Sequence, residues 1–268
     1  MPAPDWSLLL RTPAFETTAL LVGLVVGSFA NVCIHRLPRR ESVVSPPSRC
    51  PSCGARIRAR DNVPVLGWLL LGGRCRDCRA PISPRYPAVE AVNGLLWLAL
   101  AATRGPQPAT LALMALVTAL LVLSLVDLDH QILPDAVTLP GIGAGLAASL
   151  LPGWPVSPLA AAAAAAGGWL AFAAVAKAYE RARGIEGLGQ GDWKMAALLG
   201  AFLGWQKMLL TVLLASVAGT VVGLGAVAMK GRDLRYALPL GTFLGAAGIA
   251  VVFFGDAILS WYRGLLGG

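Results

Sequence analysis

The chain reads as an all-α polytopic membrane protein, with about eight transmembrane helices and one small cytoplasmic insert. Three observations predict this. Charged residues make up 13% of the 268 positions and apolar residues 56%, with a mean hydropathy of +0.68. Apolar runs of near-spanning length recur along the chain. The basic residues gather in a few separated blocks. Soluble domains carry about 25% charge, so a soluble globular enzyme is excluded. The apolar fraction excludes a disordered chain.

A helical span needs about 20 mostly apolar residues. The first candidate runs from Phe15 to Ile34. It lies too late in the chain, and lacks the basic n-region, for a cleavable signal peptide. A polar stretch from Arg36 to about Pro87 follows. Further apolar runs occupy Ala88–Thr103, Ala109–Val126, Ala136–Leu151, Leu159–Ala178, Met195–Leu203, Met208–Met229 and Leu238–Trp261. The Met195 run is short, and with its neighbour across Gly204, Trp205 and Gln206 it reads either as two segments or as one broken helix. Gly105-Pro106, Pro152-Gly153 and Pro155 mark breaks. The Ala-rich run Leu159 to Ala166 suits a helix packed through small residues.

The net charge of +8 suits either nucleic acid or the cytoplasmic side of a membrane. Position decides between them. Eleven Lys and Arg lie from Arg36 through Arg85. Lys177, Arg181, Arg183 and Lys194 form a second block, and Lys230, Arg232 and Arg235 a third. Under eight spans these 18 of the 22 basic residues fall on one side. Arg11, Arg104, Lys207 and Arg263 fall on the other. The positive-inside rule makes the crowded side cytoplasmic and puts both termini outside. Orientation therefore explains the charge, and no nucleic-acid partner is expected.

Four of the five cysteines lie in the polar insert, as Cys50-Pro-Ser-Cys53 and Cys75-Arg-Asp-Cys78, with 21 positions between the pairs. This spacing is close to that of four-cysteine zinc sites. Disulfides are the alternative, disfavoured in a reducing cytoplasm. Neighbouring Arg49, Arg56, Arg58, Arg74, Arg76 and Arg79 favour thiolates. Four thiolates leave no open coordination position, so the metal is expected to be structural. The same arginines suit anionic lipid headgroups. Cys33, isolated in an apolar run, reads as packing.

Of 14 acidic residues, Asp127, Asp129 and Asp135 crowd the end of the third span. Asp192 precedes the sixth, in Gly187-Leu188-Gly189-Gln190-Gly191-Asp192-Trp193-Lys194. Carboxylates at a membrane edge are functional candidates. Two of them brought close can share a proton and act as acid and base on one water. Asp135, after Pro134, and Asp192 would each also serve as helix N-caps. Gly187, Gly189 and Gly191 let a backbone approach closely. They do not form a dinucleotide fingerprint, since no strand precedes them.

Several segments together resemble the bacterial type IV prepilin peptidases, or leader peptidase/N-methyltransferases, the GxGD aspartic proteases of family A24. Gly27-Ser28-Phe29-Ala30-Asn31-Val32-Cys33-Ile34-His35-Arg36-Leu37-Pro38 is similar to their N-terminal signature. Asn62-Val63-Pro64, Trp68-Leu69 and Gly73-Arg74-Cys75-Arg76-Asp77-Cys78 resemble the end of their zinc insert. Ile82-Ser83-Pro84-Arg85-Tyr86-Pro87-Ala88-Val89-Glu90 resembles the start of their second span. The Asp127 cluster and Gly189-Gln190-Gly191-Asp192 resemble their two catalytic motifs. Gly67, where many members have Ser, and Gln190, where an apolar residue is common, depart from the pattern without removing a catalytic atom.

The resemblance implies two activities at the bacterial inner membrane. One cleaves the short basic leader of a prepilin or pseudopilin at the cytoplasmic face, for a pilus or a secretion system. The other methylates the new N-terminal amine with S-adenosylmethionine. It implies Asp127 and Asp192 as the catalytic pair, with Asp129, Asp135, Gly189, Gly191 and Lys194 in support. Zinc falls to Cys50, Cys53, Cys75 and Cys78. Gly27, Ser28, Asn31, Arg36 and Glu90 become candidates for binding substrate or S-adenosylmethionine. For Gly27, Ser28 and Asn31 close helix packing is the alternative, and for Glu90 a helix-dipole contact. Lys194 suits either Asp192 or a lipid phosphate. The expected organisation is a periplasmic N-terminus with the first span over 1–36, the zinc insert over 37–87 and an aspartic peptidase domain over 88–268. A GxGD protease with another substrate, and a zinc-bearing scaffold or transporter with mid-membrane carboxylates, are the competing classes.

Overall fold

The computed structural model describes residues 13–185, 187–230 and 239–266. Arg11, Arg232 and Arg235 of the charge count, and Leu238 at the expected start of the last span, lie outside them. The described residues form eight α-helices and no strand. These are α1 (Pro13–Arg36), α2 (Leu66–Leu70), α3 (Arg85–Arg104), α4 (Pro108–His130), α5 (Asp135–Ala148), α6 (Pro158–Arg183), α7 (Gln190–Lys230) and α8 (Leu240–Leu266). Short 3-10 turns at Leu37–Arg39 and Ala59–Asp61 lie between α1 and α2. Proline stands at the first position of α1, α4 and α6, where its missing N–H has no partner to lose. Ser157 caps α6, accepting the Ala160 amide at 3.4 Å. Gly184, in the left-handed region at φ 69, ends α6.

Five helices are long and apolar enough to cross a membrane: α1, α4, α6, α7 and α8. Among the described residues each of the eight apolar runs expected from the sequence carries a helix, α7 serving two of them. Gly204 breaks α7 with φ 73 and ψ 174, a conformation closed to other residues. A Cβ built on Gly248 of α8 would lie 3.0 Å from Leu199 and 3.7 Å from Thr211. In a straight helix those twelve residues would span about 18 Å. The chain therefore doubles back at Gly204, and the Met195 and Met208 runs are two segments. Past the break, Val217, Val221, Val222 and Leu224 are exposed. Such a face is disfavoured in water and at home against lipid tails.

The chain divides into two compact units, residues 1–118 and 119–268. In the first, α1 packs on α3 through glycines. A Cβ on Gly23 would lie 3.0 Å from the Gly94 backbone, and one on Gly27 2.8 Å from the Glu90 Cα. Gly23 and Gly27 are spaced as in small-residue helix contacts within membranes. The close approach lets one buried side chain serve several elements. Asn93, fully buried, donates to the Gly23 carbonyl at 2.7 Å and accepts from the Thr118 hydroxyl at 2.8 Å. Trp97 donates its indole N–H to Thr118 at 3.0 Å.

In the second unit the first half of α7 is the hub. Met195, Ala196, Leu198, Leu199 and Ala201 are all fully buried there. Helices α5, α6 and α8 pack around α7. Small residues permit the contacts: a Cβ on Gly200 would meet the Ala164 carbonyl, and one on Gly145 would press on Ala201.

Asn93→Ala removes the link between α1, α3 and α4 and leaves buried partners unpaired. It is expected to lower the unfolding free energy in detergent by about 1–2 kcal/mol. An unchanged unfolding midpoint would contradict this role for the network.

Candidate functional site

Asp127 lies in the last turn of α4 and is 6% exposed despite its charge. Its Oδ2 accepts the Thr242 amide at 2.7 Å and lies 3.3 Å from the Thr242 hydroxyl. The Gly241 amide is also directed at this carboxylate. These amides belong to the first turn of α8, where backbone N–H groups have no partner within the helix and the dipole favours negative charge. Gly241 is required by the approach, because a Cβ there would sit 3.0 Å from the Asp127 Cγ.

Asp192 is the third residue of α7. Its carboxylate accepts the Gly189 amide, so it reaches back across its own helix start, as in a capping box. The N-cap position itself falls to Gly189, not to Asp192. Asp127 and Asp192 interact electrostatically. Leu133 links the two loops: a Cβ on Gly191 would lie 2.8 Å from the Leu133 Cβ, and one on Gly241 2.9 Å from its Cδ2. Leu133 is thus held where glycines on two helices make room, with one aspartate beside each.

The remaining acidic residues of the cluster are placed differently. Asp135 opens α5 and pairs with Lys194 at 2.6 Å. Lys194 is therefore engaged with Asp135, and Asp192 is not its partner. Asp129, two residues beyond Asp127, is exposed.

In the insert, Cys50, Cys53, Cys75 and Cys78 converge, with all four sulfurs within 4.8 Å of one another. The two CxxC segments fold alike. The Cys50 amide donates to Ala55 and the Cys75 amide to Ala80, at 2.9 and 2.8 Å. Gly54 and Arg79, each four residues past the first cysteine of its pair, both have positive φ. Sulfurs bound at about 2.3 Å in a tetrahedron stand about 3.8 Å apart. Cys50 and Cys78 are 3.8 Å apart, far beyond a disulfide bond of about 2.0 Å. The backbone amides of Cys53 and Ser52 pull the Cys50 thiol down to about 6, favouring the thiolate that a metal takes. The group could hold a metal ion. Arg76 clamps Asp61 beside it through two bonds of 2.8 and 2.6 Å and holds the Asp61 carboxyl below its usual range.

A cavity of about 850 Å³ lies between the end of α1 and the insert, within the first unit. Ser28, Asn31, Arg36 and Glu90 all line it, together with Trp68 and Tyr86. Gly27 does not; it is occupied by packing on α3. Arg36 donates to the Ser42 and Pro46 carbonyls at 2.8 and 2.7 Å, fixing the first loop of the insert. Asn31 donates to the Tyr86 carbonyl at 3.0 Å. Glu90 is buried and its Oε2 accepts the Val65 amide at 2.7 Å. Val65 has φ 61, a strained conformation for a β-branched residue. Glu90 therefore steadies a strained turn of the cavity wall, a contact that sequence alone did not suggest. Thr242 was also missed. The available signal was Pro239-Leu240-Gly241-Thr242 at the head of the last apolar run, which reads as a helix start.

A buried carboxylate at the end of one membrane helix, with a second at the start of another, marks a helical membrane protein that brings two carboxylates together. Residues 21–104 match the family model described as the bacterial peptidase A24 N-terminal domain. Residues 114–224 match that of the type IV leader peptidase family. The prepilin leader peptidase/N-methyltransferase of Pseudomonas putida is 40% identical over 285 residues, covering 98% of this chain and 99% of the relative. That of Aeromonas hydrophila is 40% identical over 272 residues, covering 92% and 93%. That of Burkholderia pseudomallei is 42% identical over 262 residues, covering 88% and 84%. The chain belongs to the type IV leader peptidase family. No solved structure matches it.

Replacing Cys50 and Cys53 together by Ser is expected to abolish stoichiometric metal binding by the purified protein and to open residues 37–87 to proteolysis. Metal content by elemental mass spectrometry that equals the parent's would contradict the four-cysteine site.

Proposed function

We propose that this protein cleaves the leader of prepilins or pseudopilins with Asp127 and Asp192, then methylates the exposed amine. The observation that carries the peptidase reading is that Leu133 packs at both Gly241, whose turn holds the buried Asp127, and Gly191, the neighbour of Asp192 at the head of α7. One carboxylate takes a proton from a water as its oxygen attacks the scissile carbonyl carbon. The other gives its proton to the carbonyl oxygen. The tetrahedral adduct then breaks its C–N bond and the leaving amine takes a proton. Gly189, with nothing packed within 3.8 Å of where its Cβ would stand, gives substrate backbone room at the pair, while Gly191 supports it by making room for Leu133. Asp135 and Lys194 tie α5 to the start of α7. Asp129, exposed beside the pair, is the supporting acid nearest Asp127 in the chain.

The pair lies at helix ends, and the basic blocks Lys177–Lys194 flank it. By the positive-inside rule that edge is cytoplasmic, within a multi-pass inner-membrane protein. A pilin with its apolar helix in the bilayer would present its leader there. A transporter would carry its carboxylates at mid-membrane.

The methyltransferase reading rests on the cavity of the first unit. Its volume lies in the range of small-molecule sites, and its lining mixes Trp68 and Tyr86 with Ser28, Asn31, Arg36 and Glu90. S-adenosylmethionine supplies a methyl group from its sulfonium. Ser28 and Asn31 offer hydrogen bonds to it, and Glu90 offers a carboxylate to an amine. Zinc would be held by Cys50, Cys53, Cys75 and Cys78 as a closed, structural site that braces the insert forming one wall of the cavity. The insert's exposed arginines suit anionic lipid headgroups.

Asp127→Asn and Asp192→Asn are each expected to reduce leader cleavage by at least about a thousandfold, with membrane insertion intact. Gel-shift assay of a prepilin in proteoliposomes checks this. Cleavage at the parent rate by either variant would overturn the assignment.

A further inference from the structure

Asp127 is held by donors from the first turn of α8, the Gly241 amide among them. Thr242 sets both of its donors within reach of the same oxygen: the amide at 2.7 Å and the hydroxyl at 3.3 Å lie against Oδ2. The hydroxyl has one proton and a second acceptor, the Ser124 carbonyl at 3.0 Å. It can donate to Oδ2 or to Ser124, but not to both at once. The amide has no such choice. It is fixed in the first turn of α8, and Oδ2 must remain an acceptor for it.

We propose that Thr242 is a positioning residue that reserves Oδ2 of Asp127 as an acceptor, leaving Oδ1 as the oxygen that exchanges a proton with the attacking water. This rests on the peptidase reading above. When Asp127 is ionised, the Thr242 hydroxyl turns its proton to Oδ2. When Oδ1 takes the proton released by water, the carboxyl is neutral and the hydroxyl swings to the Ser124 carbonyl. One proton moves from water to Oδ1, the hydroxide equivalent goes to the scissile carbon, and Thr242 neither gains nor loses a proton. The hydroxyl thus follows the charge without entering the reaction, and the amide keeps the carboxyl plane from rotating.

The surroundings leave space for this arrangement. Gly241 brings the amides of α8 close to the Asp127 Cγ, and a Cβ on Gly245, one turn further along α8, would collide with the Ser124 side chain. Helix α8 therefore lies near enough to α4 for one threonine to reach both the carboxylate and a backbone carbonyl one turn before it.

The test compares Thr242→Val, which keeps the amide and the shape but lacks the hydroxyl, with Thr242→Ser, which restores it. Steady-state cleavage of a prepilin is measured against pH, alongside thermal unfolding in the same detergent. Thr242→Val is expected to lower kcat on the order of tenfold at unchanged KM and to move the pH profile of kcat. Thr242→Ser should stay within about twofold of the parent, with the parent's profile. Parent-like kcat and pH profile in Thr242→Val would overturn the proposal. So would equal losses in both variants accompanied by a lowered unfolding temperature, which would mark a packing role. Asp127→Asn, run beside them, separates the two levels. An inactive Asp127→Asn with a fully active Thr242→Val sinks the Thr242 role alone, whereas an active Asp127→Asn sinks the peptidase reading.

Discussion

Asp127 can keep a carboxylate at the buried end of α4 because the first turn of α8 meets it with backbone N–H groups. A buried carboxylate without such partners would be disfavoured by several kcal/mol. The rest of the second unit follows from that contact. Helix α8 must come close, which requires glycine at position 241. The loop after α4 must then pass between α8 and α7, which it does with Leu133 seated against Gly191 and Gly241. Seating Leu133 sets where Asp192 stands. The Lys194–Asp135 pair closes the other side of the same loop. A single satisfied carboxylate thus fixes the register of three helix ends.

Most of the membrane architecture was legible in the sequence because it is a matter of local composition. Apolar runs announced every long helix, and Pro and Gly announced their limits. Gly204 illustrates the border of that legibility. The sequence raised both one broken helix and two segments, and the positive φ with the shared contact at Gly248 decides for two. The carboxylate cluster and the four cysteines were legible because charge and paired cysteines are scarce in such a chain. What was not legible depends on long-range placement. Thr242 lies 115 residues from Asp127, and the local pattern marks only a helix start, not its carboxylate partner. Glu90 and Val65 meet through a strained backbone that no residue preference foretells. Lys194 suited Asp192 or a lipid phosphate by sequence, and folding brought it Asp135 instead. Gly27 reads alike as packing or as a site residue until the helix it touches is known.

The insert obeys a different constraint. Among residues 40–84 the buried positions are Cys50, Gly67, Gly73 and Cys75. Two glycines and two cysteines make no apolar core. So small a module needs another source of order, and four converging cysteines that could hold a metal ion offer one. Arg76 with Asp61, and Arg36 with the Ser42 and Pro46 carbonyls, add polar ties around it. The cavity between this module and α1 is therefore shaped by the cysteine cluster and hydrogen bonds, whereas the carboxylate pair is shaped by helix packing. The two proposed chemistries rest on separate structural foundations in separate units of the chain.

Two separate sites make the two activities separable, and a direct measurement tests this. Asp192→Asn is reconstituted in lipid with S-adenosylmethionine and a pilin whose leader has already been removed. Intact-mass spectrometry then follows the gain of one methyl group, about 14 Da. Methylation at the parent rate by this cleavage-deficient variant is the predicted result. Loss of methylation together with cleavage would contradict two independent sites.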